Sequence, residues 1–408
     1  MLSLERRAPA FARAYSIALI SLHADPATVV GSPQNGGVTI YVRELARALA
    51  QFGHRVDVFT RRTDPQAPAS ERRDGYTLHR IAAGPPAHLG NDEIAAHLDE
   101  ALAALDEAFD RHAYDLISSH YWLSGTLGDA LARRRGIAHV HTLHSHGTAR
   151  KRRDAITLER IEIERKLLQT TPIVTLSPSH RELFARDYGL VPPRLAVVPA
   201  GVDLARFRPG DVAETRRALG VPERGRYVGY VGRLTREKGI DELISAFALL
   251  RANGTEAGLL VVGGAQRGSR VPELRALAAR FGVAEHVHFL GAIPNARVAD
   301  AFRAADVVAV PSHYEAFGLV ALEARACGVP VVASDVGGLR DLVTPASGGA
   351  RVAPGDLAGW ARELGAALEP GELQRRRARV LHEGVGPYSW TSIASRIVAF
   401  GLHDVCAD

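Results

Sequence analysis

Short apolar runs alternate with amphipathic stretches along the whole chain. Segments 16–21, 56–60, 116–119, 138–142, 173–176 and 195–198 are short and β-branched or apolar, as expected of strands buried on both faces. Between them, 38–52 and 156–168 repeat apolar residues at helical spacing, with Val38, Tyr41, Val42, Leu45 and Leu49 on one face of the first. Segment 61–90 carries several prolines and little periodicity, and it reads as a surface excursion. A stretch rich in turn formers follows at 199–203 and 207–210. The alternation then restarts: strand-like 227–232, 258–263, 287–290, 307–311 and 331–334, with helix-like 240–252 and 271–281 among them. Strands alternating with helices predict parallel sheets with crossover helices. The break near 205 predicts two such domains, 1–205 and 206–387. The apolar spacing of Ile393, Ile397, Val398 and Leu402 predicts a last helix within 388–408.

Composition narrows the class. The chain has 408 residues, 46% hydrophobic and 23% charged, which fits a soluble globular protein of two or three domains with full cores. A net charge of +5 suits small anionic ligands and is too mild to argue for nucleic acid. The two cysteines, Cys327 and Cys406, have no metal-ligand spacing and form no disulfide framework, so a cytoplasmic location is expected. No segment reads as a signal peptide or reaches the ~18 apolar residues of a membrane span, so stable membrane insertion is not expected.

The candidate chemistry lies at strand ends. After the run 307–311 comes Glu315-Ala316-Phe317-Gly318-Leu319, then Glu323, Gly328 and Pro330. The two carboxylates stand eight positions apart, one in a loop and one inside a helix, so they can reach different parts of one extended ligand. Amides near Phe317, Gly318 and Leu319 sit where a helix N-terminus can hold an anionic oxygen. At the end of 227–232, Gly232-Arg233 and Lys238-Gly239 bracket a short basic loop. Fixed cations there can stabilise a departing diphosphate. Gly36-Gly37 opens the first amphipathic helix and permits close backbone approach. No G-x-G-x-x-G pattern accompanies it, which argues against a dinucleotide oxidoreductase. His139, His141, His144 and His146 crowd another strand end, but without a carboxylate or cysteine beside them no metal site is expected. Tyr121 stands in Ser119-His120-Tyr121-Trp122-Leu123-Ser124-Gly125, and Arg150 to Arg153 form a basic run able to grip a phosphorylated ligand.

The E-A-F-G-L-x3-E-A string and the G-R-x4-K-G string resemble the signatures of family 4 retaining glycosyltransferases. The Ser-His-Tyr-Trp-Leu-Ser-Gly string is similar to that of the branch containing inositol-phosphate N-acetylglucosaminyltransferases and sucrose-phosphate synthases. The resemblance spans nearly the whole chain. It implies a GT-B architecture: α/β, two Rossmann-like doubly wound domains facing across a cleft, with the last helix crossing back to the first. It implies a hexosyltransferase moving a glucosyl or N-acetylglucosaminyl group from a nucleotide-sugar, expected to be UDP-linked, with no further cofactor or metal. Catalytic roles fall on His141, Glu315, Arg233 and Lys238. Donor contacts fall on Gly36, Gly37, Arg233, Lys238, Glu315, Phe317, Gly318, Leu319 and Glu323, the last at the ribose hydroxyls. Acceptor contacts fall on Thr39, Tyr121, Thr142, His144 and Arg153. Where the inositol-phosphate enzymes have Asn after Gly-Gly-Met, this chain has Gly37-Val38-Thr39. The acceptor therefore stays open among sugar phosphates, cyclitols and natural-product polyols. The partners implied are small molecules, with a homodimer left open. The rival classes are a nucleotide-sugar epimerase or hydrolase of the same fold, which needs no acceptor, and a non-catalytic sugar-binding relative.

Overall fold

The computed structural model describes residues 13–28, 36–149, 154–264 and 269–403. These fall into two compact units. One comprises 13–28, 36–201 and 390–403, and the other 202–389.

The first unit is built on eight strands: β1 (Ser16–Ile20), β2 (Arg55–Arg61), β3 (Ser70–Arg73), β4 (Tyr76–Ile81), β5 (Leu116–His120), β6 (Ala138–Thr142), β7 (Ile173–Thr175) and β8 (Leu195–Val197). Their order is β3-β4-β2-β1-β5-β6-β7-β8, parallel except for the β3–β4 pair. The chain therefore builds outward from β1 in both directions, and the order reverses between β1 and β5. Helix Tyr121–Arg135 covers one face through Trp122, Leu123, Leu127 and Leu131, packed with Ala101, Leu105 and Phe109 of helix Leu98–Asp110. On helix Gly37–Gln51, Tyr41, Val42, Leu45 and Leu49 are buried, as the 3.6-residue period requires. Trp390 opens the last helix, Trp390–Leu402, and stacks edge-on against Tyr41 at 5.2 Å between ring centroids. Tyr388 and Ser389 group with the other unit.

Segment 61–90 is not the irregular excursion its composition suggested. It holds β3 and β4, an antiparallel hairpin closed by Asp74 (φ 45°) and Gly75 (φ 93°). Asp-Gly with both residues at positive φ is a favoured two-residue hairpin turn, so the signal was present in the sequence.

The second unit carries β9 (Tyr227–Val231), β10 (Gly258–Val262), β11 (Val287–Gly291), β12 (Val307–Val310), β13 (Val331–Ser334) and β14 (Ala350–Val352), in the order β11-β10-β9-β12-β13-β14. All pairings are parallel, and the order reverses between β9 and β12. Its core joins Ile240, Leu243, Ile244, Phe247 and Leu250 to Trp360, Leu364 and Leu368 over β9, β10 and β12. Among the described residues no helix is long and apolar enough to cross a membrane.

Candidate functional site

In an open parallel sheet, ligands bind beyond the carboxyl ends of the strands where the strand order reverses. In the second unit that place lies between β9 and β12, and the two glycine-bearing motifs meet there. Lys238 ends the loop after β9 and Glu315 lies in the loop after β12. Lys238 Nζ donates to Glu315 Oε2 at 2.6 Å, with each side chain about one-fifth exposed. Backbone contacts stitch the loops together. His313 N donates to the Glu237 carbonyl at 2.9 Å, and Gly338 N to the Glu315 carbonyl at 3.0 Å. Close approach requires glycine here. A Cβ on Gly239 (φ 69°) would stand 2.0 Å from the Pro311 carbonyl oxygen, and one on Gly337 (φ 44°) 2.1 Å from that of Glu315.

Arg233 starts the same loop as Lys238. Its Nη2 pairs with Glu237 Oε1 at 3.1 Å, and its carbonyl accepts from the Tyr230 hydroxyl at 2.7 Å. Gly318 (φ 103°) caps helix Leu319–Ala326, and Phe317 is buried before it. Glu323, on that helix, is partly buried. Desolvation pushes its carboxyl up to about 8, against the opposing pull of Arg206. It is therefore mostly protonated at neutral pH and can donate as well as accept a hydrogen bond.

In the first unit the reversal lies between β1 and β5. His23 follows β1 and Tyr121 follows β5, and their rings pack at 4.4 Å between centroids with planes tilted by 37°. Tyr121 opens its helix at φ 72°, a left-handed conformation that costs a bulky residue energy and persists only where surrounding contacts enforce it. Those contacts are visible. Arg160 Nη1 donates to the Tyr121 hydroxyl at 3.0 Å and Asn91 Nδ2 at 3.1 Å, while the Arg160 guanidinium lies 4.7 Å from the ring centroid. With both lone pairs occupied, the tyrosine's own hydrogen is the one it can offer to a ligand. Arg160 is itself fixed by fully buried Glu164, Nε to Oε1 at 2.6 Å. His144, also at positive φ (57°), shares a 3.0 Å contact between its Nε2 and His120 Nδ1. Thr142 ends β6 fully buried, and Thr39 is buried in its helix.

His141 is wholly buried, and its Nδ1 lies 2.9 Å from Ser119 Oγ. Its Nε2 has no hydrogen-bond partner among the described residues. Burial holds His120, His139 and His141 down to about 3 and His23 to about 4, so these rings are neutral at physiological pH. Gly36 precedes helix Gly37–Gln51 with extended backbone (φ −113°, ψ −173°), and a Cβ there would meet none of the described residues within 4 Å. Arg153 lies outside the described residues. Among those described, no group of three or more His, Cys, Asp or Glu side chains could hold a metal ion.

Sequence reasoning missed His23, Asn91 and Arg160. Arg160 and Glu164 were readable as a helical i, i+4 pair. His23 carried no motif, and only the strand order places it beside Tyr121.

These features define an α/β protein of two units, with polar side chains gathered where each sheet's strand order reverses. Residues 35–206 match the model of Glycosyltransferase Family 4, and 211–379 that of Glycosyl transferases group 1. A D-inositol 3-phosphate glycosyltransferase of Acidothermus cellulolyticus is 40% identical over 376 residues, covering 87% of this chain and 83% of that protein. Among solved structures, sucrose-phosphate synthase from Thermosynechococcus elongatus superposes with a TM-score of 0.81 at 35% identity, over 94% of this chain and 97% of that one. HepE of Anabaena, solved with UDP and glucose, shares the fold alone: 20% identity, TM-score 0.73, over 94% and 98%. The chain belongs to glycosyltransferase family 4. It is a hexosyltransferase of GT-B type, built from two parallel-sheet α/β domains and using a nucleotide-sugar donor.

Proposed function

We propose that this chain moves a glucosyl or N-acetylglucosaminyl group, with retention, from a UDP-linked donor to a small phosphorylated or polyhydroxylated acceptor, inositol phosphate among them. The observation that carries the reading is the Lys238–Glu315 pair at the strand-order reversal of the second unit. A cation and a carboxylate fixed side by side suit a ligand whose diphosphate and hexose lie side by side. Lys238 and Arg233 take the diphosphate, and Glu315 the hexose hydroxyls. The amides of Gly318 and Leu319 orient the sugar, and Glu323 takes the ribose diol. The second unit, 202–389, is thus the donor domain.

The first unit is the acceptor domain. Tyr121 offers its hydroxyl hydrogen to an acceptor oxygen, with Thr142 and His144 beside it, and His141 meets the hexose. Gly36, with Gly37 next to it, leaves the start of its helix open to close approach by the donor phosphate. In the transfer, the bond from the anomeric carbon to the diphosphate oxygen breaks and the acceptor oxygen bonds to that carbon on the same face. The acceptor proton passes to the departing phosphate. Arg233 and Lys238 stabilise the charge that develops on the leaving group. The use of two cysteines in 408 residues fits an enzyme of the cytoplasm.

The test supplies the enzyme with UDP-glucose or UDP-N-acetylglucosamine and a panel of inositol phosphates, hexose phosphates and free cyclitols. Acceptor-dependent UDP release with an α-linked product is the expected result. Donor turnover that ignores every acceptor would sink the reading in favour of an epimerase or hydrolase.

A further inference from the structure

Strand positions two apart share a face, so His139 and His141 project from the same side of β6. Helix Tyr121–Arg135 packs over that side and makes room for both rings with glycine. A Cβ on Gly125 would stand 2.7 Å from His141 Cε1, and one on Gly128 2.6 Å from His139 Nε2. Ser119, in register with His141 on the neighbouring strand, places its Oγ between the two imidazoles. The distances are 2.7 Å to His139 Nε2 and 2.9 Å to His141 Nδ1, and all three residues are buried.

A serine hydroxyl carries one hydrogen. It can donate to only one of the two rings and must accept from the other. The tautomers of His139 and His141 are therefore coupled through Ser119, and only two proton arrangements satisfy both contacts. In one, His139 Nε2–H donates to Ser119, Ser119 donates to His141 Nδ1, and His141 carries its hydrogen on Nε2. In the other, His141 Nδ1–H donates to Ser119, Ser119 donates to His139 Nε2, and His141 Nε2 is a bare lone pair. The first leaves a buried N–H at His141 Nε2 with no acceptor among the described residues. Orphaned buried N–H groups are rare in folded proteins because the lost hydrogen bond is not regained. The second arrangement is favoured.

We propose that Ser119 and His139 are positioning residues that fix His141 in the Nδ1–H tautomer, so that its bare Nε2 accepts a hydrogen bond from a substrate hydroxyl. The inference rests on the assignment of His141 to the hexose under the proposed function. It gives a role to two residues, Ser119 and His139, that the sequence motifs contained without assigning them one, and it states which hydrogen-bonding role His141 plays.

Nitrogen-15 NMR of the full chain, labelled in histidine, reads the tautomer directly from two-bond couplings, and the signal lost in His141→Gln identifies His141. Nδ1–H at His141 is expected in the wild type, moving toward Nε2–H in Ser119→Ala and His139→Leu. Both variants should lower kcat about tenfold, the worth of one well-placed hydrogen bond, with KM for the donor little changed. His139→Gln, whose amide oxygen can accept from Ser119, should restore most of it. If His139→Leu fails to fold, Ser119→Ala carries the test, since it removes one oxygen and adds nothing. A wild-type Nε2–H signal, or a tautomer that neither variant moves, overturns the relay. A tautomer that moves while kcat stays constant keeps the relay and overturns the role of His141 at the substrate.

Discussion

Lys238 and Glu315 lie 77 positions apart in sequence, yet their charged atoms meet at 2.6 Å where the strand order of the second unit reverses. The pair is partly exposed, so its ionic attraction is worth at most about 1 kcal/mol to the fold. On the proposed reading its value is positional: each member holds the other where the donor would meet both. Lys238→Ala and Glu315→Ala are expected to lower transfer by roughly 10²-fold or more, with the thermal midpoint nearly unchanged. Steady-state rates alongside a melting curve for each variant check this. Near-normal transfer in both would remove them from the site.

Glycine at 337 is required by the loop it supports. Its φ of 44° and a Cβ 2.1 Å from the Glu315 carbonyl oxygen mean that alanine must shift that loop. Gly337→Ala is expected to cost roughly 1–3 kcal/mol of stability and to raise KM for the donor. Gly254→Ala is the control. It shares a positive φ (86°) but meets nothing within 4 Å, so it should lose about 1 kcal/mol or less and leave KM unchanged.

Glu323 supplies a proton-linkage prediction. Burial raises its carboxyl to about 8, so at pH 7 the ligand-free protein holds a proton there that an unfolded chain would not. This contribution to stability is present near pH 4.5 and is lost as pH rises through about 8. Ribose hydroxyls donating to the carboxyl favour its ionised form. Binding of UDP-glucose at pH 7 should therefore release a proton. Calorimetry in two buffers of different ionisation enthalpy measures the release, and Glu323→Gln should abolish it. Equal heats in both buffers for the wild type would contradict it.

The buried histidines of the first unit give the opposite dependence. His120, His139 and His141 are held to about 3 and His23 and His146 to about 4, below the ~6.5 of an unfolded chain. As pH falls below about 6.5 the unfolded chain takes up protons that the folded unit refuses. Stability conferred by these neutral rings is thus complete above that value and declines toward pH 3–4. The melting point should be level near pH 7–8 as far as these rings are concerned, and should drop steeply between pH 6 and 4.5. A flat profile across that interval would show that the rings are solvated.

Much of the architecture was legible because parallel strands buried on both faces read as plain apolar runs, as 307–311 and 331–334 do. The β3–β4 hairpin was not, because prolines and charges on either side of Asp74-Gly75 masked its alternation. Of the residues proposed for the donor, Glu315, Glu323, Arg233 and Lys238 stand in motifs. That Lys238 and Glu315 touch follows only from the order of β9 and β12. Around Tyr121 the motif supplied one residue, whereas His23, Asn91 and Arg160 arrive from three other segments. Thr39 and Thr142 emerge more deeply buried than their proposed contact with an acceptor suggested.

Thermal stabilisation of the full chain by UDP, compared with GDP, dTDP and ADP, and repeated in Lys238→Ala, tests the donor site most directly. Ligands that bind only the folded state raise the melting point by mass action. The expected result is a clear upward shift with UDP, larger than with the other three, and lost in the variant. No shift with any nucleotide, or a UDP shift that Lys238→Ala leaves intact, would contradict the placement of the donor between β9 and β12.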